Sequence, residues 1–179
     1  MTVIFKDQLP ADSNQILALY KCVGWVAYTK EPERLLNGLA QSQVITAYVE
    51  EQLVGLIRCI TDGQTILYIQ DLLVAPAFQR QKIGQRLLKK MLARYPSIRQ
   101  KVLITDNTEK TRRFYESCGF SSVETQQIAA FGHRKSVTQT DNTIVSIQMF
   151  ATRHAPSKTV ETISSRLLPF MGHGVSPFT

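Results

Sequence analysis

The stretch from Leu72 to Gly84 reads LLVAPAFQRQKIG, and it lies between an apolar run and a basic, periodic segment. The run that ends in it, Thr65–Val74 (TILYIQDLLV), predicts a central strand that stops before Pro76, because proline cannot donate a hydrogen bond to a sheet. The segment after it, Gly84–Arg94 (GQRLLKKMLAR), predicts an amphipathic helix. The predicted order is strand, polar loop, basic helix.

A helix that begins after such a loop is suited to hold an anion. Its first N–H groups have no partner within the helix and carry a partial positive charge. Gly84 at the junction lets a ligand approach the backbone, and Arg80, Lys82 and Arg86 add cations. A pyrophosphate fits this description. The sequence contains neither a Walker phosphate loop nor a Rossmann fingerprint.

Two motifs resemble those of the GNAT superfamily of acyl-CoA-dependent N-acyltransferases. The loop Gln79–Gly84 resembles the family signature Q/R-x-x-G-x-G/A after a strand that ends in V-x-P, with Lys82 at the first glycine. The segment Asn107–Phe120 (NTEKTRRFYESCGF) resembles the family's helix motif, keeping an asparagine, Phe-Tyr and Gly-Phe but lacking the family's alanine. Together the motifs indicate a GNAT-like domain over residues 1–135.

The resemblance implies a mixed α/β fold, with a twisted, mostly antiparallel sheet of six or seven strands and helices on both faces. It also implies that acetyl-CoA is the donor, with its pyrophosphate on backbone N–H groups of the loop and its pantetheine along the preceding strand. The residues implied to bind it are Leu72, Leu73, Val74, Gln79, Arg80, Gln81, Lys82, Ile83, Gly84, Gln85, Asn107 and Arg113.

Catalytic and acceptor residues also follow from the resemblance. Tyr115 would supply a proton to the departing thiolate, since a phenol with a pKa of about 10 can do so as charge forms; the alternative is that Tyr115 only packs. Asp71 is one candidate for the base that removes the amine proton, directly or through water, and a structural carboxylate is the alternative. Trp25 and Tyr28 would line the acceptor pocket, and core packing is equally consistent with them.

The flanking segments complete the predicted domain. Asp62-Gly63 predicts a hairpin between two strands, and Gly119 predicts the end of a helix over Thr108–Cys118. The segment Leu19–Trp25 (LYKCVGW) resembles a stretch in some small family members without fixing an acceptor. The strands predicted around these features are Thr2–Lys6, Gln43–Val49, Leu53–Thr61, Lys101–Thr105, Val123–Phe131 and Thr143–Phe150.

Composition narrows the classes of protein. The 179 residues are 44% hydrophobic and 20% charged, as in a soluble globular domain. The net charge is +7, and residues 79–113 hold eleven lysines and arginines against two carboxylates, which favours phosphate ligands. Three widely spaced cysteines predict neither a disulfide framework nor a metal site. We see neither a membrane-spanning run nor a signal peptide, so we expect a cytoplasmic location.

These patterns predict an N-acetyltransferase that moves an acetyl group to a primary amine, of a small molecule or a protein, by direct attack in a ternary complex. The alternative is a non-enzymatic module of the same fold that senses CoA or binds nucleic acid. Between Arg80 and Arg113 only Tyr95 is aromatic, which makes nucleic acid the weaker partner. Residues 136–179 either complete the sheet or form an extension, which could pack in a homodimer.

Overall fold

The computed structural model describes residues 1–126 of the chain. It contains five strands and five α-helices within that range. In chain order these are β1 (Val3–Lys6), α1 (Ser13–Cys22), α2 (Val26–Thr29), α3 (Pro32–Ala40), β2 (Gln43–Val49), β3 (Gln52–Thr61), β4 (Ile66–Val74), α4 (Ile83–Arg94), β5 (Gln100–Leu103) and α5 (Glu109–Glu116). No helix of the described residues is long and apolar enough to cross a bilayer.

The five strands form one mixed sheet in the order β1-β2-β3-β4-β5. Neighbours are antiparallel except for β4 and β5, which are parallel. This confirms the predicted mixed α/β class with a mostly antiparallel sheet. The described residues supply five strands where six or seven were predicted.

The end of the described chain corrects one predicted strand. Val123–Gln126, predicted to begin a strand, forms a short 3-10 helix, because both the N–H and the hydroxyl of Thr125 bond back to the carbonyl of Ser122. The rest of that predicted strand and all of Thr143–Phe150 lie outside the described residues.

The hairpin predicted at Asp62-Gly63 joins β3 to β4. Gly63 has a left-handed φ of 78°, which few other residues adopt without strain. The Asp62 carboxylate accepts bonds from the Thr65 hydroxyl and from the backbone N–H groups of Gln64, Thr65 and Ile66. These bonds, that from the Thr65 hydroxyl first, hold the pKa of Asp62 well below its usual range.

Each face of the sheet carries its own apolar cluster. One face packs against α4, whose buried stripe includes Leu87, Leu88 and Met91. The other face packs against α1 and α3, which contribute Leu19 and Leu39 among others. Helices on both faces match the prediction. Because helices cover both faces of the sheet, the residues of β4 face alternately into the two clusters.

Strand β4 keeps two partners for only part of its length. It pairs with β5 from Ile66 to Ile69, and the next residue, Gln70, is a bulge that has no opposite residue on β3. Beyond the bulge, Asp71–Val74 pair with β3 alone among the described residues. The opening between this part of β4 and the end of β5 is here called the strand gap.

Candidate active site

The strand gap offers unpaired backbone groups rather than side chains. Leu72, Leu73 and Val74 are each at most 5% exposed as whole residues, and their side chains belong to the two apolar clusters. Their backbone groups on the side away from β3 have no strand partner within residues 1–126. An extended ligand with amide groups can use such an edge as a further strand does.

The loop after β4 turns back toward the gap and then starts α4. The Gln79 side chain donates to the carbonyl of Val74 at 3.0 Å, which ties the loop to the end of the strand. Arg80 and Lys82 both have left-handed backbone, with φ of 64° and 60°. Lys82 immediately precedes α4, so a left-handed residue leads into a right-handed helix, and that succession makes an anion-binding concavity of N–H groups.

Two positions of this loop, Lys82 and Gly84, can be compared with the glycines of the family signature. Lys82 stands where the signature has its first glycine, and its φ of 60° is the conformation that favours glycine. A Cβ added to Gly84 would lie 3.5 Å from the Phe114 ring and 3.6 Å from Val74, both ordinary contacts. The missing side chain of Gly84 therefore faces α5. These surroundings do not support the expectation that Gly84 lets a ligand approach the backbone.

The remaining predicted cofactor residues occupy different surroundings. Ile83 is buried, whereas Arg80, Gln81 and Lys82 are exposed. Gln85 bonds to Ser117 at 3.0 Å and so links α4 to α5.

Asn107 and Arg113 are not brought to the loop by any hydrogen bond of the described residues. Asn107 accepts from Arg112, and Arg113 pairs with Glu109 at 2.6 Å on the exposed side of α5. The neighbouring Thr108 caps α5, since its hydroxyl accepts from the N–H of Thr111 at 3.2 Å. The cofactor roles of Asn107 and Arg113 stay predictions.

Tyr115 lies on the α4 face of the sheet and is 7% exposed. Its ring meets Phe114 and Phe120 edge-on, with centroids 5.1 and 5.9 Å away. Burial raises the pKa of Tyr115 far above that of an ordinary phenol, and Cys118, Asp106 and Cys59 add to the rise. Its hydroxyl has no hydrogen-bond partner among residues 1–126, so a protonated donor is available there at neutral pH.

Asp71 lies on the opposite face and is 1% exposed. Its Oδ2 accepts from the Tyr20 hydroxyl at 2.7 Å and from Arg58 Nη1 at 3.3 Å. Its Oδ1 is buried and has no partner in the described part of the chain. Burial raises the pKa of Asp71, while the Tyr20 bond and then Arg58 oppose the rise. One oxygen is therefore held and the other is free to accept.

The predicted acceptor residues form an aromatic group around Tyr20. Trp25 stacks on Tyr28 with centroids 5.6 Å apart, and both rings contact Tyr20 at 5.8 and 5.6 Å. Trp25 is 4% exposed and belongs to the core, whereas Tyr28 is half-buried and its hydroxyl meets the Gln70 amide at 3.4 Å. The geometry thus favours core packing for Trp25 and leaves Tyr28 near the bulge.

Three polar residues of this site were missed by sequence reasoning. They are Tyr20, Arg58 and Ser42, the last of which accepts from Arg58 Nε at 2.9 Å. One signal was available: Arg58 and Asp71 are single opposite charges in two apolar runs that flank the Asp62-Gly63 turn. Opposite charges in consecutive hairpin strands indicate a cross-strand pair.

The described residues fit coenzyme A. The unpaired strand edge suits the amides of a pantetheine, and the left-handed turn before α4 with nearby Arg80 and Lys82 suits a pyrophosphate. Within residues 1–126, no group of three or more histidine, cysteine or acidic side chains could hold a metal ion. The fold and the site together have the form of an acyl-CoA-dependent transferase.

Comparison with known proteins supports this class. Residues 24–132 match the family profile described as an acetyltransferase (GNAT) domain. A GNAT family acetyltransferase from Streptococcus pneumoniae is 33% identical, with a TM-score of 0.67, and the match covers 75% of this chain and 98% of that one. No curated protein gives a significant match to the sequence.

More distant structures share the fold. An aminoglycoside acetyltransferase from an uncultured soil sample, solved with sisomicin, is 20% identical with a TM-score of 0.58, covering 75% of this chain and 97% of that one. Glucosamine-6-phosphate N-acetyltransferase from Arabidopsis thaliana is 12% identical with a TM-score of 0.54, covering 77% and 100%. The chain belongs to the GNAT acetyltransferase family. It is accordingly an acyltransferase, which sets aside the non-enzymatic alternative.

Proposed function

We propose that this acyltransferase moves the acetyl group of acetyl-CoA to a primary amine by direct attack in a ternary complex. The observation that carries the proposal is the strand gap at Gln70, which opens between Ile69 and Asp71 and continues into the loop before α4. A free carboxylate oxygen, a backbone edge and an anion-binding helix start thus follow one another along the chain.

On the donor side, backbone groups would bind the cofactor. The N–H groups of Gln81–Gln85 would hold the pyrophosphate, assisted by the charges of Arg80 and Lys82. The backbone of Leu72 and Val74 would bond the pantetheine amides. An N–H at or next to Leu73 would stabilise negative charge on the thioester oxygen as the amine attacks.

Tyr115 would act as the acid of the reaction. A departing thiolate belongs to a thiol of pKa about 8.5 and gains stability from a donor that keeps its proton at neutral pH. The raised pKa of Tyr115 and the lack of a bonded partner for its hydroxyl within residues 1–126 support that role.

Asp71 would act as the base. A primary ammonium has a pKa near that of lysine, about 10.4, and must lose a proton before it attacks. The free Oδ1 supports proton acceptance, directly or through one water. The raised pKa of Asp71 brings the carboxylate closer to the working pH, which improves it as a proton acceptor.

The acceptor class is an amine of a small molecule or a protein. Two solved structures of this fold are an aminoglycoside acetyltransferase and a glucosamine-6-phosphate N-acetyltransferase, and both named acceptors carry amines. Tyr28 stands beside the bulge and is our candidate to contact the acceptor, with Trp25 supporting its ring from behind.

The test is the release of free CoA thiol from acetyl-CoA with a panel of primary amines, with product identity by mass spectrometry. We expect amine-dependent release and an N-acetylated product, and a loss of about 100-fold in kcat for Asp71→Asn. Release that no amine stimulates would contradict acetyl transfer to amines. Unchanged turnover by Asp71→Asn would contradict the base alone.

We further propose residues 1–135 as the acetyltransferase domain and residues 136–179 as a C-terminal segment that completes the sheet or mediates a homodimer. The profile match over residues 24–132 supports the first boundary. A chain ending at Lys135, compared with the full chain by turnover and by light scattering, tests the second. Equal activity and an equal number of subunits per particle would contradict both roles of the segment.

A further inference from the structure

The segment Leu19–Trp25 has a structural role that its sequence did not reveal. Helix α1 ends at Cys22, and Gly24, with a φ of 84°, reverses the chain. The N–H of Gly24 then bonds to Lys21 at 3.0 Å and that of Trp25 to the carbonyl of Tyr20 at 3.0 Å. The indole is thereby folded back onto the Tyr20 ring.

Contacts from the end of α1 and from α2 therefore hold the Tyr20 side chain in place. It is fully buried, and the rings of Trp25 and Tyr28 both contact it. Its hydroxyl reaches the Oδ2 atom of Asp71, 51 residues later in the chain, at 2.7 Å. A rigid phenol thus bonds one chosen oxygen of the carboxylate.

A second chain of contacts reaches the same oxygen from β3. Arg58 bonds Asp71 Oδ2 at 3.3 Å through Nη1, and its Nε donates to Ser42. Ser42 in turn donates to the carbonyl of Gly38 at 2.6 Å, which anchors the arginine to the end of α3. Both contacts use Oδ2, and neither uses Oδ1.

We propose that Tyr20 is a positioning residue, whose hydroxyl holds Asp71 through Oδ2 and so leaves Oδ1 as the oxygen that takes the proton of the acceptor amine, directly or through one water. This inference rests on the proposed role of Asp71 as base. Tyr20 itself does not contact the reacting atoms. Arg58, on β3, helps to position Asp71 by bonding the same Oδ2 atom.

The charges around Asp71 determine the expected direction of a pH effect. The titratable groups that interact with it are Tyr20 from α1, Tyr28 from α2, Arg58 and Cys59 from β3, and Tyr68 from β4 itself. Burial raises the pKa of Asp71, and the Tyr20 bond is the largest opposing effect. Loss of that bond therefore raises the pKa further, so the ionised base forms only at higher pH.

The test is Tyr20→Phe, with Tyr48→Phe as the matched control. Tyr48 is a tyrosine of the same apolar cluster, is 5% exposed, and has no bond to Asp71. For Tyr20→Phe we expect a loss of about 10- to 100-fold in kcat, as for a misplaced catalytic group, with KM for acetyl-CoA unchanged. The acid limb of the kcat–pH profile should move upward, and Tyr48→Phe should leave both unchanged.

A direct titration separates this inference from the base role. The carboxyl carbon of Asp71 is followed by NMR against pH in the full chain labelled at aspartate. An upward shift of that titration in Tyr20→Phe, absent in Tyr48→Phe, supports the inference. An unmoved titration, or the same shift in both variants, overturns it. A shifted titration with an unmoved kcat–pH profile instead overturns Asp71 as base.

A double variant guards against a general loss of structure. In an Asp71→Asn background, Tyr20→Phe should cause no further loss of kcat, because the oxygen that it holds no longer serves as base. A further loss as large as that in the wild-type background would show that Tyr20→Phe acts by disturbing the fold, and would overturn the positioning role.

Discussion

The proposed donor and acceptor halves of the site, on either side of β4, are built from different chemical groups. The donor half consists of backbone: a strand edge without a partner, a loop with two left-handed residues, and the start of α4. The acceptor half consists of buried side chains, Tyr20, Arg58 and Asp71, drawn from three separate elements. One half depends on chain conformation and the other on polar contacts inside the core.

This difference explains what each half tolerates. Backbone groups are present whatever the side chain, so the donor half accepts Lys82 where its family has glycine, at a cost in strain. A buried carboxylate needs its partners, because an unpaired charge in the core is strongly unfavourable. We therefore expect substitutions of the acceptor half to have larger effects on stability than those of the loop.

The largest expected effect is that of Arg58→Met. The arginine side chain is 12% exposed and that of Asp71 is fully buried, so the variant leaves a buried carboxylate with no cation. We expect a loss of about 3–5 kcal/mol in the free energy of unfolding, measured by urea denaturation at neutral pH. Arg34→Met, which removes the exposed pair with Glu31, should cost no more than about 1 kcal/mol.

The pH dependence of that loss identifies its cause. Burial raises the pKa of Asp71 above its unfolded value, and removal of Arg58 raises it further. A raised carboxyl pKa means that the folded state binds the proton more tightly, so protonation at low pH relieves the unpaired charge. The deficit of Arg58→Met should shrink as the pH falls. A deficit independent of pH would contradict a charge effect.

On the donor side, Tyr115→Phe should affect turnover far more than stability. Its hydroxyl has no partner within residues 1–126, so we expect a change of less than about 1 kcal/mol in unfolding and a loss of about 100-fold in kcat. Tyr95→Phe, in a half-buried ring against the same cluster, should leave kcat unchanged. Full activity of Tyr115→Phe would leave that residue a packing role only.

Two helical glycines offer a matched pair across the sheet. An alanine at Gly38 would place its Cβ 2.9 Å from Arg58 Nη2 and push the guanidinium that Asp71 and Ser42 hold, whereas at Gly84 it would meet only Phe114 and Val74 at ordinary distances. We expect Gly38→Ala to destabilise by about 1 kcal/mol and Gly84→Ala to stabilise by up to about 1 kcal/mol. Stabilisation by both alanines would show that Arg58 can move freely.

The smallest expected effect is the relief of strain at Lys82. A left-handed lysine costs about 1–2 kcal/mol, which glycine avoids while losing more chain entropy on folding. We expect Lys82→Gly to raise the free energy of unfolding by up to about 1 kcal/mol. Lys89→Gly, within α4, should lower it by about 1 kcal/mol. A loss of equal size in both variants would contradict strain at Lys82.

The same division separates what sequence could predict from what it could not. The Asp62-Gly63 turn, the loop before α4 and the helix that carries Tyr115 are local patterns, and the structure confirms them. The cofactor roles of Asn107 and Arg113 stay predictions, because the exposed side chains of loops and helix faces follow no hydrophobic period that would fix them. Thr108, next to Asn107, caps the helix.

The contacts of Asp71 could not be predicted from the sequence, for a physical reason. Tyr20 occupies an apolar helix position next to Leu19, where a phenol is indistinguishable from a core aromatic. Its partner lies 51 residues away, and only the packing of α1 on the sheet joins them. The gap at Gln70 depends likewise on where β5 ends, which no single strand reveals.

The most direct test of the central claim is unfolding of the full chain with and without acetyl-CoA, with ATP and NAD as phosphate-bearing controls. At about a hundred times its dissociation constant, a ligand of the folded state adds about 2.7 kcal/mol to the free energy of unfolding. We expect that gain with acetyl-CoA and none of comparable size with ATP or NAD. No gain, or an equal gain with all three, would contradict a built site for coenzyme A in the strand gap.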